Sequence, residues 1–205
     1  HMARFPRFRH VQVVLSVDDI GDRLSYQRAP AQWSKVQETI ARWTQMAGVS
    51  GLRVNCSVSI FNVWALSDVL DWFTETYPQV MVDLNLVHNP MRLSVRALPP
   101  PLLDTVTDRL RRFTADPDKP DHLRRQVEEL AVFIDRGQGD PAGWRAALEE
   151  IHERDAIRGE RFADVYPELW SELQRLGLDS PLEQRRPLSV IVGITRRFAN
   201  GRRGP

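Results

Sequence analysis

The sequence predicts an α/β fold, with parallel strands and helices alternating over residues 1–100 and an α-helical extension with a basic tail over residues 101–205. Three observations lead there. Short β-branched runs are separated by segments with helical spacing. Each of three successive runs carries one polar face. Beyond Pro99, Pro100 and Pro101 the periodicity is helical until a last apolar run near the C-terminus.

The elements follow in order. Residues 11–17 (VQVVLSV) form a short β-branched strand. Trp33, Val36, Ile40 and Trp43 recur at helical spacing and mark an amphipathic helix closed by Gly48 and Gly51. Residues 52–61 (LRVNCSVSIF) read as the second strand. Leu66, Val69, Leu70 and Phe73 mark the next helix, with Ser67 and Asp68 favouring its first turn. Residues 81–87 (MVDLNLV) are the third strand, and residues 93–98 are expected to be a short fourth, stopped by the prolines. Strands separated by helices of this length imply a parallel sheet.

In the extension, Leu103, Val106, Leu110 and Phe113 make one helix, and Leu123, Val127, Leu130 and Phe133 another. Asp140-Pro141 opens a third, with Trp144, Leu148 and Ile151. Residues 162–176 are expected to be helical, with Pro167 near the start or at a break. An apolar run over residues 188–194 precedes the tail RRFANGRRGP.

Composition bounds the function. A 42% hydrophobic, 27% charged chain is too apolar for disorder. With 28 basic against 27 acidic side chains, no global field draws it to nucleic acid or a membrane. The longest apolar runs, about six to eight residues, fall far short of a membrane span. The arginine-rich start has no apolar stretch behind it, so no signal peptide is expected, and His1-Met2 reads as a cloning remnant. Cys56 is the only cysteine, so it supplies neither an internal disulfide nor a cysteine-based metal site. A cytoplasmic setting is expected.

Alternation splits each strand into two faces. Val14, Ser16 and Asp18 lie opposite Val13, Leu15 and Val17; Asn55, Ser57 and Ser59 lie opposite Val54, Cys56, Val58 and Ile60; Asp83 and Asn85 lie opposite Leu84 and Leu86. A parallel sheet covered on both sides reads apolar throughout. These polar faces fit either a sheet with one solvated face or a partial barrel with a polar, ligand-holding lumen.

Single residues are weighed on the same basis. Cys56 sits on an apolar face and reads as a structural thiol. His88, in VHNP, is a candidate substrate contact past the third strand. His152 has no second histidine at metal spacing, so no metal site is expected. Asp18 and Asp19 point to opposite faces, which argues against a paired-carboxylate site. Asp19 is expected to cap the following turn, helped by Gly21. The terminal arginines (Arg4, Arg7, Arg9, Arg196, Arg197, Arg202 and Arg203) read as solvated, and the tryptophans as core.

The runs LSVDDIGDRLSYQRAPAQWSKV, VNCSVSIFNVWALSDVLDWF and VDLNLVHNPMRLSVRALP, with the later IHERDAIRGERFADVYPEL, together resemble the back half of a radical S-adenosylmethionine (SAM) enzyme, nearest to the twitch-domain-containing radical SAM proteins. The likeness covers about residues 11–172. It implies a partial (β/α) barrel whose cofactor is SAM and whose cluster-bound chemistry generates a 5′-deoxyadenosyl radical for hydrogen abstraction. In that family the fourth strand ends in a Ser-x-Asp that contacts SAM, which Ser16-Val17-Asp18 matches. An arginine about ten residues on helps hold the SAM carboxylate; Arg28 is the best match and Arg23 the second. Asn55, Ser57 and Asn62 match the polar groups of the family's fifth strand. The Cys-x3-Cys-x2-Cys that holds the [4Fe–4S] cluster is absent, and so are the auxiliary-cluster cysteines of the twitch domain. The resemblance therefore implies the C-terminal portion of a longer enzyme, inactive alone, that partners a cluster-bearing N-terminal half and acts on a peptide or nucleic-acid-related substrate. The alternative is a non-catalytic module that docks a partner protein through its half-barrel.

Overall fold

The computed structural model describes residues 8–46, 48–137 and 139–180. The apolar run over residues 188–194, and all the terminal arginines except Arg9, lie outside the described residues. Three strands, β1 (Gln12–Ser16), β2 (Gly51–Val58) and β3 (Met81–Leu86), form one open parallel sheet in the order β1-β2-β3. The register sets Val14 beside Arg53 and Met81, and Ser16 beside Asn55 and Asp83. The predicted α/β class and parallel order are both present. Among the described residues, no helix is long and apolar enough to cross a membrane.

The alternation along β2 is complete. Leu52, Val54, Cys56 and Val58 are buried, while Arg53, Asn55 and Ser57 are half-buried on the other face. Helices cover the first set. They are α1 (Gly21–Gln27) and α2 (Trp33–Thr44) after β1, α3 (Leu66–Thr76) after β2, and then α4 (Pro100–Ala115), α5 (Asp121–Asp135), α6 (Pro141–Arg158), the single turn α7 (Phe162–Val165) and α8 (Pro167–Leu176). α6 starts as its sequence implies: Asp140 accepts a hydrogen bond from the Ala142 N–H at 3.1 Å, and proline takes the first position. Pro167 breaks the segment predicted over residues 162–176 into α7 and α8.

Three local expectations are corrected. α1 was not foreseen. The second strand stops at Val58, because Asn62 turns back to accept from the Ser59 N–H at 2.8 Å. The fourth strand expected over residues 93–98 is two short 3₁₀ turns, Met91–Leu93 and Val95–Ala97, and the Ser94 hydroxyl accepts from the Arg96 N–H between them. Val95, Ala97 and Leu98 are apolar because they are buried, not because they pair with a strand. One continuous buried cluster runs from Val17 and Val54 through Leu102 and Leu130 to Leu173, across the proline triplet.

The two edges of the sheet differ. At β3, Gln126 of α5 accepts from the Leu84 N–H (2.8 Å) and donates to the Val82 carbonyl (2.9 Å), as a neighbouring strand would. At β1, the Val11 carbonyl and the Val17 N–H are spent on the β2 side, so the backbone groups of Gln12, Val14 and Ser16 face away from the sheet. Replacing Gln126 with Leu leaves the Leu84 N–H without its partner and is expected to cost about 1–2 kcal/mol. The Leu84 amide should then exchange with solvent faster while amides in β2 stay protected, a difference that hydrogen-exchange NMR reads directly.

Candidate functional site at the ends of β1 and β2

β1 delivers Ser16 to the open face and Asp18 just beyond it, where the chain leaves the sheet. Asp18 is largely buried and both its carboxylate oxygens are used. Oδ1 accepts from the Ser57 N–H at 2.8 Å, and Oδ2 accepts from Arg28 Nε at 2.5 Å. Arg28 follows α1; its side chain is 40% exposed against 12% for Asp18. Among the described residues Asp18 is the only side chain that Arg28 bonds. The guanidinium is therefore anchored at Nε on a partly exposed side chain. Such a guanidinium presents two parallel donors to an incoming carboxylate or phosphate.

Ser16, Asn55 and Ser57 share one face, with Ser16 directly beside Asn55 and Asp18 bonded to the Ser57 N–H beyond the end of β1. Asp83 is next in that row and is held by Arg53, whose Nε donates to Asp83 Oδ2 at 2.7 Å. Hydroxyl and amide side chains thus line one face of the sheet, and the Asp18–Arg28 pair adjoins its end.

Asn62 does something different. It is fully buried, and its Nδ2 donates to the carbonyls of Asp18 (2.6 Å) and Ser57 (2.9 Å), while Oδ1 takes the Ser59 N–H. It stitches the ends of β1 and β2 together and so fixes Asp18. Cys56 lies beneath this stitch, its thiol buried 3.5 Å from the Asp18 carbonyl. Burial, reinforced by the Asp18 and Asp19 charges, holds that thiol well above its ordinary range, so it stays a neutral packing group.

His88 does not join this group. It is exposed beyond β3, edge-on to Phe133 of α5 at 5.7 Å between ring centroids, and Arg96 lies over the Phe133 ring. Among the described residues, no three His, Cys, Asp or Glu side chains are grouped to hold a metal ion.

Sequence reasoning missed the surroundings of Asp19. This residue does accept from the Ile20 N–H, but it is also fully buried beneath α1. There Arg23 Nε and Gln27 Nε2 both donate to it at 2.8 Å, and Gln27 also reaches the Tyr166 hydroxyl at 3.0 Å. The spacing 19, 23, 27 was the available signal, one helical turn apart each time. Burial pushes the Asp19 carboxyl up to about 6, against the lowering effect of Arg23 and the other donors. The native state therefore holds this proton more tightly than the unfolded chain. The resulting stabilisation is full below about pH 4 and is lost as pH rises through about 6. The stability of the wild-type chain minus that of Asp19→Asn should accordingly fall between pH 4 and pH 7, by on the order of 3 kcal/mol. Urea titrations of both proteins across that range check it; a flat difference would remove the assignment.

No protein-family model, no curated protein and no solved structure matches this chain.

Proposed function

We propose that this chain is the C-terminal, SAM-holding part of a cytoplasmic radical SAM enzyme, its three strands belonging to a partial (β/α) barrel. The observation that supports the reading is that Ser16, Asn55 and Ser57 share a sheet face whose end carries the bonded Asp18–Arg28 pair. Their chemistry suits SAM. The outer nitrogens of Arg28 take the α-carboxylate, and the Asn55 amide and the Ser16 and Ser57 hydroxyls offer partners to the ribose diol. Asp18 serves by aiming Arg28, and Asn62 by holding Asp18. His88 lies on the β3 side, where only a substrate reaching across the face meets it.

SAM, when bound against a reduced cluster, supplies radical hydrogen abstraction. The [4Fe–4S] cluster itself does not fit this chain, because one buried cysteine cannot give three thiolates. Its ligands belong to a separate N-terminal half. That half joins at β1, since Gln126 already occupies the edge of β3. The same open edge favours a second reading, a non-catalytic module that docks a partner strand. The two readings part on SAM dependence.

Calorimetry with SAM tests the proposal. Binding is expected to be weak or absent with the chain alone and restored when a cysteine-bearing N-terminal half is supplied. In the restored complex, Arg28→Ala is expected to weaken SAM at least about tenfold, the loss of one charge-assisted pair. Unchanged affinity in that variant would refute the site. A partner that binds tightly whether or not SAM is present would favour the docking module.

A further inference from the structure

A cavity of about 140 Å³ lies between α1, the Val63–Ala65 turn, α3, α4 and the start of α8; Arg23, Trp64, Asp68, Arg109 and Glu168 line it. Trp64 is 7% exposed, and its indole Nε1 is buried with no hydrogen-bond partner. Arg23 Nη2 is buried too and is ion-paired with Asp68 Oδ2 at 3.1 Å. An unmet donor in the wall of a small cavity is costly, because it has lost water and gained no acceptor.

The charges around the cavity are ordered by depth. Trp64 and Arg23 are the least exposed. Arg109 lies over the Trp64 ring at 4.6 Å and reaches Glu168 at 3.5 Å. The carboxylates sit at the rim, Asp68 with half and Glu168 with three quarters of its side chain exposed. A simple anion meets those rim carboxylates on entry, and a simple cation meets the arginines inside. A ligand with an acceptor at one end and an ammonium at the other satisfies both. The cavity holds roughly the share of four or five waters, room for about six to eight heavy atoms.

We infer that this cavity binds a small zwitterionic amino acid, its carboxylate on Trp64 Nε1 and Arg23 and its ammonium against Glu168 and Asp68. This site is independent of the SAM reading, since it shares no residue with the groups proposed to hold SAM.

The test titrates the full chain with β-alanine, and with acetate and ethylamine as its two halves. The Trp64 indole N–H is followed by NMR and affinity by calorimetry. β-Alanine is expected to shift the Trp64 indole signal saturably and to bind about tenfold tighter than acetate, with ethylamine silent. Trp64→Phe keeps the ring, removes the unmet donor and should weaken β-alanine about tenfold without loss of stability. Glu168→Gln, at a side chain too exposed to affect folding, should weaken β-alanine and leave acetate unchanged or tighter. No saturable shift at tens of millimolar, or a Glu168→Gln variant that binds both probes as the wild type does, overturns the inference and leaves a water-filled cavity.

Discussion

Asn62→Ala is expected to cost about 3–5 kcal/mol of stability, the largest effect of any single polar side chain described for this protein. The reason is what it leaves behind. Asn62 serves two carbonyls and one N–H in a place with no access to water, and alanine serves none of them. Each orphaned group then bears its own desolvation cost. In a chain of 205 residues that corresponds to a drop in melting temperature of roughly 10 °C. Asn62→Asp sharpens the test. The carboxylate still accepts from the Ser59 N–H but, when charged, faces the Asp18 and Ser57 carbonyls as one acceptor against two. That variant should be clearly more stable at acid pH, where a protonated carboxyl donates again, than at pH 7. Thermal melts of the three proteins at two pH values decide it; an alanine variant within 1 kcal/mol of wild type, roughly 3 °C here, would show that the stitch is dispensable.

Asp155→Ala should cost about 2–4 kcal/mol, because Asp155 is the acceptor on which the C-terminal helices hold α1. Its Oδ1 takes the Tyr26 hydroxyl and its Oδ2 the Phe162 N–H, both at 2.8 Å, while Arg158 donates to the Tyr26 carbonyl. Tyr26 is almost entirely buried against Phe61, Phe162 and Tyr166, and burial with the Asp155 carboxylate beside it keeps its hydroxyl protonated. Alanine at 155 strands that hydroxyl inside an aromatic cluster and uncaps α7. Tyr26→Phe removes the donor instead of stranding it, so its cost should be smaller, about 1 kcal/mol. The order of the two is the point. A Tyr26→Phe variant less stable than Asp155→Ala, by urea denaturation, would mean that packing and not this hydrogen bond joins the elements.

The legible parts of the molecule were those written at fixed spacing in one segment. Period-two alternation placed Ser16, Asn55 and Ser57 on one face before any coordinates, and the parallel register then set Ser16 against Asn55; Asp18, past the end of β1, is buried instead. Asp140-Pro141 announced the start of α6. Illegible were the parts decided by what lies across the fold. Residues 93–98 have a strand's composition, but no strand is beside them, and Ser94 bends the chain locally. Asn62 belongs by sequence to the polar groups of a strand end; only the approach of the Asp18 and Ser57 carbonyls turns it into a stitch. Gln126 looks like a solvated helix residue until β3 is set against it. Asp19 was half legible: its helical spacing to Arg23 and Gln27 was present, but its burial depends on Tyr166, more than a hundred residues away.

The buried cluster that crosses Pro99–Pro101 has a thermodynamic consequence. Elements that share one core and the Tyr26–Asp155 tie are expected to unfold globally as one cooperative unit. A ligand that binds only the folded form therefore stabilises every part of that unit by the same amount. SAM held at Arg28 would slow the opening of α6 and α8 as much as that of β1. Protection spreading into the helical half is thus the far-field signature of occupancy at the sheet, readable where no ligand atom ever arrives.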